Sequence, residues 1–357
     1  MPKNKKILFV CPYPFGEAPS QRFRYEQYLG QLSEAGYSYT IAPFLSLSAW
    51  RVLYKKGRLT QKIWSLIIGF GKRKWLLLKL KPYDYIFIHR EATPIGPPFF
   101  EWIIKFIWKK HIIYDFDDAI WLKDAEEKGS LRSIVKWKSK VASICKWSDK
   151  ISCGNPYLAD FALKYNKEVI VNPTTIDTEL LHLPKKQQIV TNPLVVGWTG
   201  THSTLQYLQR IRKALHLAYQ NTPFKLLIIA NKVPDFHFPN MEFIEWNKAT
   251  EIADLNKIDI GIMPLSDDQW SNGKCGFKAL QYMALEKPVV GSAVGVNKSI
   301  IPNGGFLVTT EEEWVSCLVQ LLKDPMLRKE HSINGRDYIK KHYSVLSNTD
   351  NFLYLFR

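Results

Sequence analysis

Asn272–Asn297 reads NGKCGFKALQYMALEKPVVGSAVGVN, and its reading decides how the chain is built. Gly273 and Gly276 make a turn. Phe277, Leu280, Met283 and Ala284 then recur at helical spacing, so the turn opens an amphipathic helix whose apolar stripe faces a core. Pro288 starts a short apolar strand, Pro288–Ser292, and Gly295 closes a second turn. Lys274 and Lys278 stand four apart, so both reach one face near the helix start. Two cations there oppose the helix dipole. They are either solvated lysines or the counter-charge of a bound anion such as a diphosphate.

Working outward, the same alternation of strand and helix runs through the chain. Short apolar runs predict strands at Lys6–Cys11, Tyr37–Pro43, Tyr85–His89, His111–Phe116, Lys150–Gly154 and Glu168–Asn172. A second series follows at Leu194–Trp198, Lys225–Ala230, Met241–Trp246, Ile258–Pro264 and Pro288–Ser292. Helical spacing marks Arg22–Ala35, with Gly36 as its C-cap, and Pro156–Tyr165. Strands alternating with helices argue for parallel sheets covered on both faces. The expected class is α/β, with two Rossmann-like doubly wound domains facing across a cleft. Residues 1–187 form the first, 188–335 the second, and 336–357 a C-terminal helix that crosses back. A linker rich in Pro and Thr lies between Asn172 and Pro193. In such domains ligands bind beyond the carboxyl ends of the strands.

The 357 residues carry a net charge of +16, unevenly spread. Between Ala35 and Tyr83 there is no acid, against Arg51, Lys55, Lys56, Arg58, Lys62, Lys72, Arg73, Lys74, Lys79 and Lys81. Such a field attracts nucleic acid, an anionic membrane or phosphorylated substrates. No RRM, KH or zinc pattern accompanies it, which argues against nucleic acid. Instead Trp64, Ile67, Ile68, Trp75 and Leu78 interleave with the lysines at helical spacing, and Phe99–Lys110 adds Trp102 and Trp108. Basic helices of this kind lie in membrane interfaces, and Arg51–Lys81 is the expected contact. The apolar run Ile63–Phe70 is far below the roughly 20 residues that span a bilayer. The run Ile7–Cys11 is too short for a signal peptide and meets Pro12 at once. A cytoplasmic protein, peripheral on the membrane, is expected. Five scattered cysteines without a CxxC give neither a zinc site nor a disulfide framework and fit a reducing compartment.

Three further clusters could carry chemistry. The turn GWTGTHST, Gly197–Thr204, follows a strand and opens a helix near Ser203 or Thr204. Small residues and free amides there would suit a phosphate, and an ordinary N-cap would look the same. Asp115, Asp117 and Asp118 end a strand, where three carboxylates could bind Mg²⁺, accept hydroxyl hydrogen bonds, act as a base or cap a helix. His89, Arg90 and Glu91 form a similar polar group after YIFIH.

Taken together these passages resemble a GT-B glycosyltransferase of the large retaining family 4. LSEAGYSYTIAPF (32–44) is similar to the family's opening unit, and VIVNPTTIDTELL (169–181) to its interdomain segment. FKALQYMALEKPVVGSAVGVNKSIIPNGGFLV (277–308) resembles its donor helix and the strand and turn that follow. SQRFRYEQYL, HREATPIGPPFFE, YDFDDAIWL, VGWTGTHSTLQYL and KCGFKALQYMALEKPVVGS are similar to a subgroup from bacterial surface-polysaccharide clusters. The resemblance implies a UDP- or GDP-sugar donor, a glycan or polyprenyl-linked acceptor, and no cofactor or metal. It also implies sites. Donor contacts fall on Gly16, Gly200, Thr201, Ser203, Asn231, Lys232, Trp246, Gly276, Phe277 and Gln281. Acceptor contacts fall on Arg22, His89, Arg90, Glu91 and Asp115. Lys274 and Lys278 would steady the leaving diphosphate, and Asp117 or Asp118 would hold the acceptor or a sugar hydroxyl. The family's two donor-helix glutamates are here Gly273 and Gln281, and Asp267 or Asp268 could reach in for the first. That loss leaves open an inactive relative that binds a sugar nucleotide or a partner without turnover.

Overall fold

A computed structural model describes residues 5–53, 55, 57–122, 137–185, 192–235 and 237–357. Lys56 and the expected boundary at 187/188 lie outside these residues. Two compact units emerge: residues 1–174 with 349–357, and residues 175–348.

The first unit is a parallel sheet of β1 (Lys6–Cys11), β2 (Ser38–Pro43), β3 (Tyr85–His89), β4 (His111–Phe116), β5 (Lys150–Cys153) and β6 (Val169–Val171), in the order β2-β1-β3-β4-β5-β6. The strand order reverses between β1 and β3, which pair directly through Ile7–Tyr85 and their neighbours. The second unit orders β7 (Val195–Gly200), β8 (Lys225–Ala230), β9 (Met241–Glu245), β10 (Ile260–Met263), β11 (Val289–Ser292) and β12 (Gly305–Val308) as β12-β11-β10-β7-β8-β9. Its reversal falls between β7 and β10. Crevices at such reversals, at the carboxyl ends of the strands, are where doubly wound sheets take ligands. Strands β1, β3, β4, β8 and β10 are almost wholly buried, which is why they read as continuous apolar runs.

Three features differ from the sequence reading. The strand β12 was not expected. It is four residues long and starts at Gly305, where a Cβ would fall 1.8 Å from the Val289 carbonyl oxygen. The helix expected over Arg22–Ala35 is broken into Pro19–Arg22, a 3₁₀ turn at Glu26–Tyr28 and Leu29–Glu34. Both Arg24 and Glu26 are buried, and residues two apart lie on opposite faces of a continuous helix. Gly36 does cap the last piece, at φ 86°, with Tyr37 N–H donating to Leu32 O at 3.0 Å. The C-terminal region holds two helices, Pro325–His342 and Val345–Leu353, rather than one.

Residues 349–357 complete the core of the first unit. Phe352 stacks on Tyr28 with ring centroids 4.4 Å apart, and Phe356 lies 6.2 Å from Phe87. The Tyr37 hydroxyl donates to Phe356 O at 3.0 Å.

Candidate active site

In the second unit the loops that leave β7 and β10 flank the reversal of strand order. Gly276 sits at φ 70°, where a side chain is strained, and a Cβ there would fall 2.6 Å from Ile300 Cδ1. The turn therefore requires glycine, and it launches the helix Phe277–Ala284 as the spacing predicts. The two lysines end against aromatic rings. Lys274 Nζ lies 4.7 Å from the Trp270 ring centroid, and Lys278 Nζ lies 5.4 Å from that of Trp198. Trp198 belongs to β7, so Lys278 ties the new helix to the strand beside it. The Tyr282 hydroxyl accepts from Thr199 N–H at 2.8 Å and makes a second tie to β7. Burial pushes the Tyr282 hydroxyl pKa well above its ordinary value, so it stays neutral.

The turn after β7 is not a set of free amides. Thr201 N–H donates to Thr204 Oγ1 at 3.0 Å, Thr204 N–H to Thr201 O at 2.9 Å, and His202 N–H to Asn231 Oδ1 at 2.8 Å. This is a capping box that begins a 3₁₀ turn, His202–Thr204, before the helix proper. The Thr201, His202 and Thr204 amides therefore already have acceptors, and the side chains of Thr201, His202 and Ser203 are exposed, the two hydroxyls standing 2.9 Å apart. Gly200 lies under this turn because a Cβ would meet the Trp198 ring at 2.4 Å. Asn231 supports His202, Lys232 is exposed, and Trp246 N–H donates to Ala230 O at 2.9 Å beside the end of β8.

Gln281 is buried on the second turn of the helix. Its Nε2 donates to Glu251 Oε1 at 3.4 Å and stands 3.4 Å from His182 Nε2. All three side chains are buried. A carboxylate beside one end of an amide fixes which end is nitrogen, so the Gln281 oxygen points away from Glu251. Sequence reasoning found Gln281 but missed Glu251 and His182, which are distant in the chain and carry no motif. Gly273 packs in the turn, donating its N–H to Trp270 O at 3.1 Å. Neither loop acid is an idle group: Asp268 caps Gln269–Asn272 through Ser271 N–H at 2.7 Å, and Asp267 accepts from Asn272 Nδ2 at 3.3 Å.

In the first unit Asp115 and His89 are paired in β4 and β3 and fully buried. The Asp115 carboxylate receives the Arg24 guanidinium, His89 Nδ1 at 2.8 Å and Ser152 Oγ at 2.6 Å. Burial pushes its pKa up, but the Arg24 charge and the His89 hydrogen bond outweigh that and hold it well below the carboxylate range. These groups brace the sheet ends from inside. Their expected contact with an acceptor does not fit, because no surface of Asp115 or His89 is offered. Arg24 carries the network and was passed over in favour of Arg22, which lies over the Phe23 ring at 4.9 Å.

One layer out, Arg90 grips both remaining acids. Its Nε and Nη2 donate to Asp117 Oδ1 at 2.9 and 2.7 Å, and Nη2 donates to Asp118 Oδ2 at 2.6 Å. Burial opposes its charge, yet Asp117 and Asp118 hold its pKa well above the ordinary value. Arg90 has φ 60°, a strained conformation stabilised by its N–H to Asp115 O at 2.7 Å and by Tyr114 Oη to its carbonyl at 2.7 Å. Glu91 instead turns to Lys140, 2.7 Å away. The Gly16 amide donates to buried Glu26 at 2.8 Å, so it belongs to the loop's own bracing. Among the described residues no group of three or more His, Cys, Asp or Glu is placed to hold a metal ion.

The basic segment needs one correction. Arg73 does not face solvent with Lys72 and Lys74. It is buried and donates to Ala92 O at 2.7 Å, and to Ala42 O and Cys11 O at 2.8 Å each. The helical turn that exposes its neighbours points it inward, onto the ends of β1 and β2.

Residues 194–324 match the family model described as glycosyl transferases group 1. Trehalose synthase from Pyrococcus horikoshii is 21% identical over 330 residues, which cover 83% of this chain and 74% of that protein. The structure of Anabaena HepE in complex with UDP-glucose superposes with a TM-score of 0.69 at 13% identity over 99% of both chains. Sucrose-phosphate synthase from Thermosynechococcus elongatus gives a TM-score of 0.68 at 14% identity, over 99% of this chain and 98% of that one. Two doubly wound units with polar loops at their strand ends give the chain the GT-B fold of these structures. Its second unit carries a glycosyl transferases group 1 domain.

Proposed function

We propose that the chain moves a sugar from a nucleotide diphosphate sugar to a glycan or polyprenyl-linked acceptor. Transfer proceeds with retention of anomeric configuration and without a metal, in surface-polysaccharide assembly on the cytoplasmic face of the membrane. The observation that carries this reading is the Gly273–Gln281 turn and helix beside the β7/β10 reversal, with Lys274 and Lys278 lodged against Trp270 and Trp198. Two ammonium groups held on rigid rings stabilise charge as it develops on a departing diphosphate without reorganising. The acceptor oxygen bonds to the sugar C1 on the face from which the phosphate departs. The C1–O bond to phosphate breaks, and a phosphate oxygen takes the acceptor's proton. Gln281, in the position of the family's glutamate, is buried against Glu251 and His182 and braces the donor helix from within. Arg90 pairs with Asp117 and Asp118 and positions their carboxylates toward the hydroxyls of an acceptor. The HepE complex supports a uridine donor over a guanosine one.

The test is a panel of UDP- and GDP-sugars screened by thermal shift, since a ligand of the native state raises the melting point. Transfer is then followed in EDTA, and the product anomer read by NMR. A melting point that no nucleotide sugar moves would end the proposal. An inverted product, or activity lost to EDTA, would overturn retention or metal independence.

A further inference from the structure

The Leu59–Leu77 helix is apolar on two opposite sides, and only one of them is used by the fold. Leu66, Gly69, Phe70 and Arg73 face inward at spacings of three and four. Gly69 is pressed so closely on Phe44 that a Cβ would fall 2.5 Å from its ring, and Phe70 meets the same ring edge-on at 5.4 Å. The three carbonyl bonds of Arg73 fasten this side to the sheet. The outward side repeats the pattern with Trp64, Ile67, Ile68, Trp75 and, just past the helix end, Leu78. Each of these is between 52 and 68% exposed.

A second exposed strip lies beside it. Phe100 stands 6.2 Å from Phe70 and 6.1 Å from Phe99, where a short helix, Phe99–Trp102, widens into a π-turn, Ile103–Ile107. Phe99, Trp102, Phe106 and Ile107 are all exposed. Apolar surface on this scale marks an interaction site.

Charge selects the occupant. Lys72 and Lys74 lie two apart, so they flank the outward strip on either side, and Lys79 Nζ sits 4.7 Å from the Trp75 ring. No Asp or Glu occurs between Ala35 and Tyr83. A second copy of the chain would bring the same positive field against itself. An anionic bilayer surface satisfies both the tryptophan strip and its lysine flanks.

We infer that these two strips form a preformed membrane-docking platform. Trp64, Ile68 and Trp75 enter the headgroup boundary, Lys72 and Lys74 contact anionic headgroups, and Arg73 serves as the internal brace. This deepens the membrane part of the proposed function by naming its surface, and it requires no particular donor chemistry.

Flotation with vesicles of equal parts phosphatidylglycerol and phosphatidylcholine tests it, against phosphatidylcholine alone. The wild-type chain floats with the anionic vesicles. Trp64→Ala/Trp75→Ala lowers the bound fraction about tenfold or more. Lys72→Glu/Lys74→Glu removes the preference for phosphatidylglycerol, each lysine being worth about fivefold at the surface. Ile68→Asn, a single exposed position, gives the same readout should the tryptophan pair fail to fold. Thermal shift with nucleotide sugars, read on the same variants, stays as in wild type. Flotation unchanged in the variants, or indifferent to phosphatidylglycerol, overturns the inference while leaving the transferase reading intact. So does a dimer in sedimentation velocity that these substitutions dissociate, which would assign the face to a second copy.

Discussion

Replacing Gln281 with glutamate would restore the residue that the family places on this helix, and the structure says it should harm this chain. The new carboxylate would lie about 3.4 Å from Glu251 Oε1, at a site with almost no solvent. Two unit charges at that distance repel by about 5 kcal/mol at an effective dielectric of about 20. Binding a proton costs less. Holding a carboxyl of ordinary pKa about 4.3 in its acid form at pH 7 takes about 3.7 kcal/mol. The variant therefore folds with one proton shared by the pair and is destabilised by nearly that amount at neutral pH. The native pair then holds a proton that the unfolded chain has released, so the deficit grows as pH rises and shrinks as it falls. At pH 5 the same arithmetic leaves about 1 kcal/mol. Urea unfolding of wild type and Gln281→Glu between pH 5 and 8 measures this. Adding Glu251→Gln to Gln281→Glu removes the second charge and should recover most of the stability and flatten the pH dependence. A stability loss equal at pH 5 and pH 8, or one that Glu251→Gln does not relieve, refutes the charge argument.

Other expectations follow from the same geometry. Lys274→Ala should slow transfer about 100-fold with little change in melting temperature, because it removes charge stabilisation from a partly exposed side chain; near-normal turnover would remove Lys274 from that role. Asp115→Asn leaves the Arg24 guanidinium buried without its counter-charge and should destabilise the first unit by about 3–5 kcal/mol. Because Asp115 is held low, its contribution is complete above the unfolded aspartate pKa and fades below it, so acid should erode wild type and spare the variant's remaining stability. Stability curves that fall in parallel below pH 4 would count against this. Gly276→Ala meets both a positive φ and Ile300, and should cost about 1–2 kcal/mol or more in urea unfolding while weakening the donor-induced thermal shift.

Most of the architecture was legible because parallel strands buried on both faces announce themselves as apolar runs. The expected strands all form, with ends displaced by one or two residues. The broken Pro19–Glu34 stretch was not legible, since helical spacing of its aromatics hid the inward demands of Gln21, Arg24 and Glu26. Hydrogen-bond partners decide what each of those side chains does, and partners are set by tertiary position. The site shows the same division. Gly276, Lys274, Lys278 and Gln281 were found because a turn and a helix keep them within one short segment. Glu251 and His182 meet Gln281 from separate segments and leave no local trace. Arg73 shows how a charge count misleads: a single residue, about 100° of helix rotation, separates a solvent-facing lysine from an arginine spent on three carbonyls.

Residues 349–357 supply Phe352 and Phe356 to the first unit, both with no exposed surface. During synthesis the sheet strands of that unit leave the ribosome first, yet the rings that plug its interior arrive only after the whole second unit has been translated. The half made earliest is finished last. In the interval its nascent core keeps an open slot beside Tyr28 and Phe87, a vacancy in time that a chaperone, or a premature aggregate, is positioned to meet.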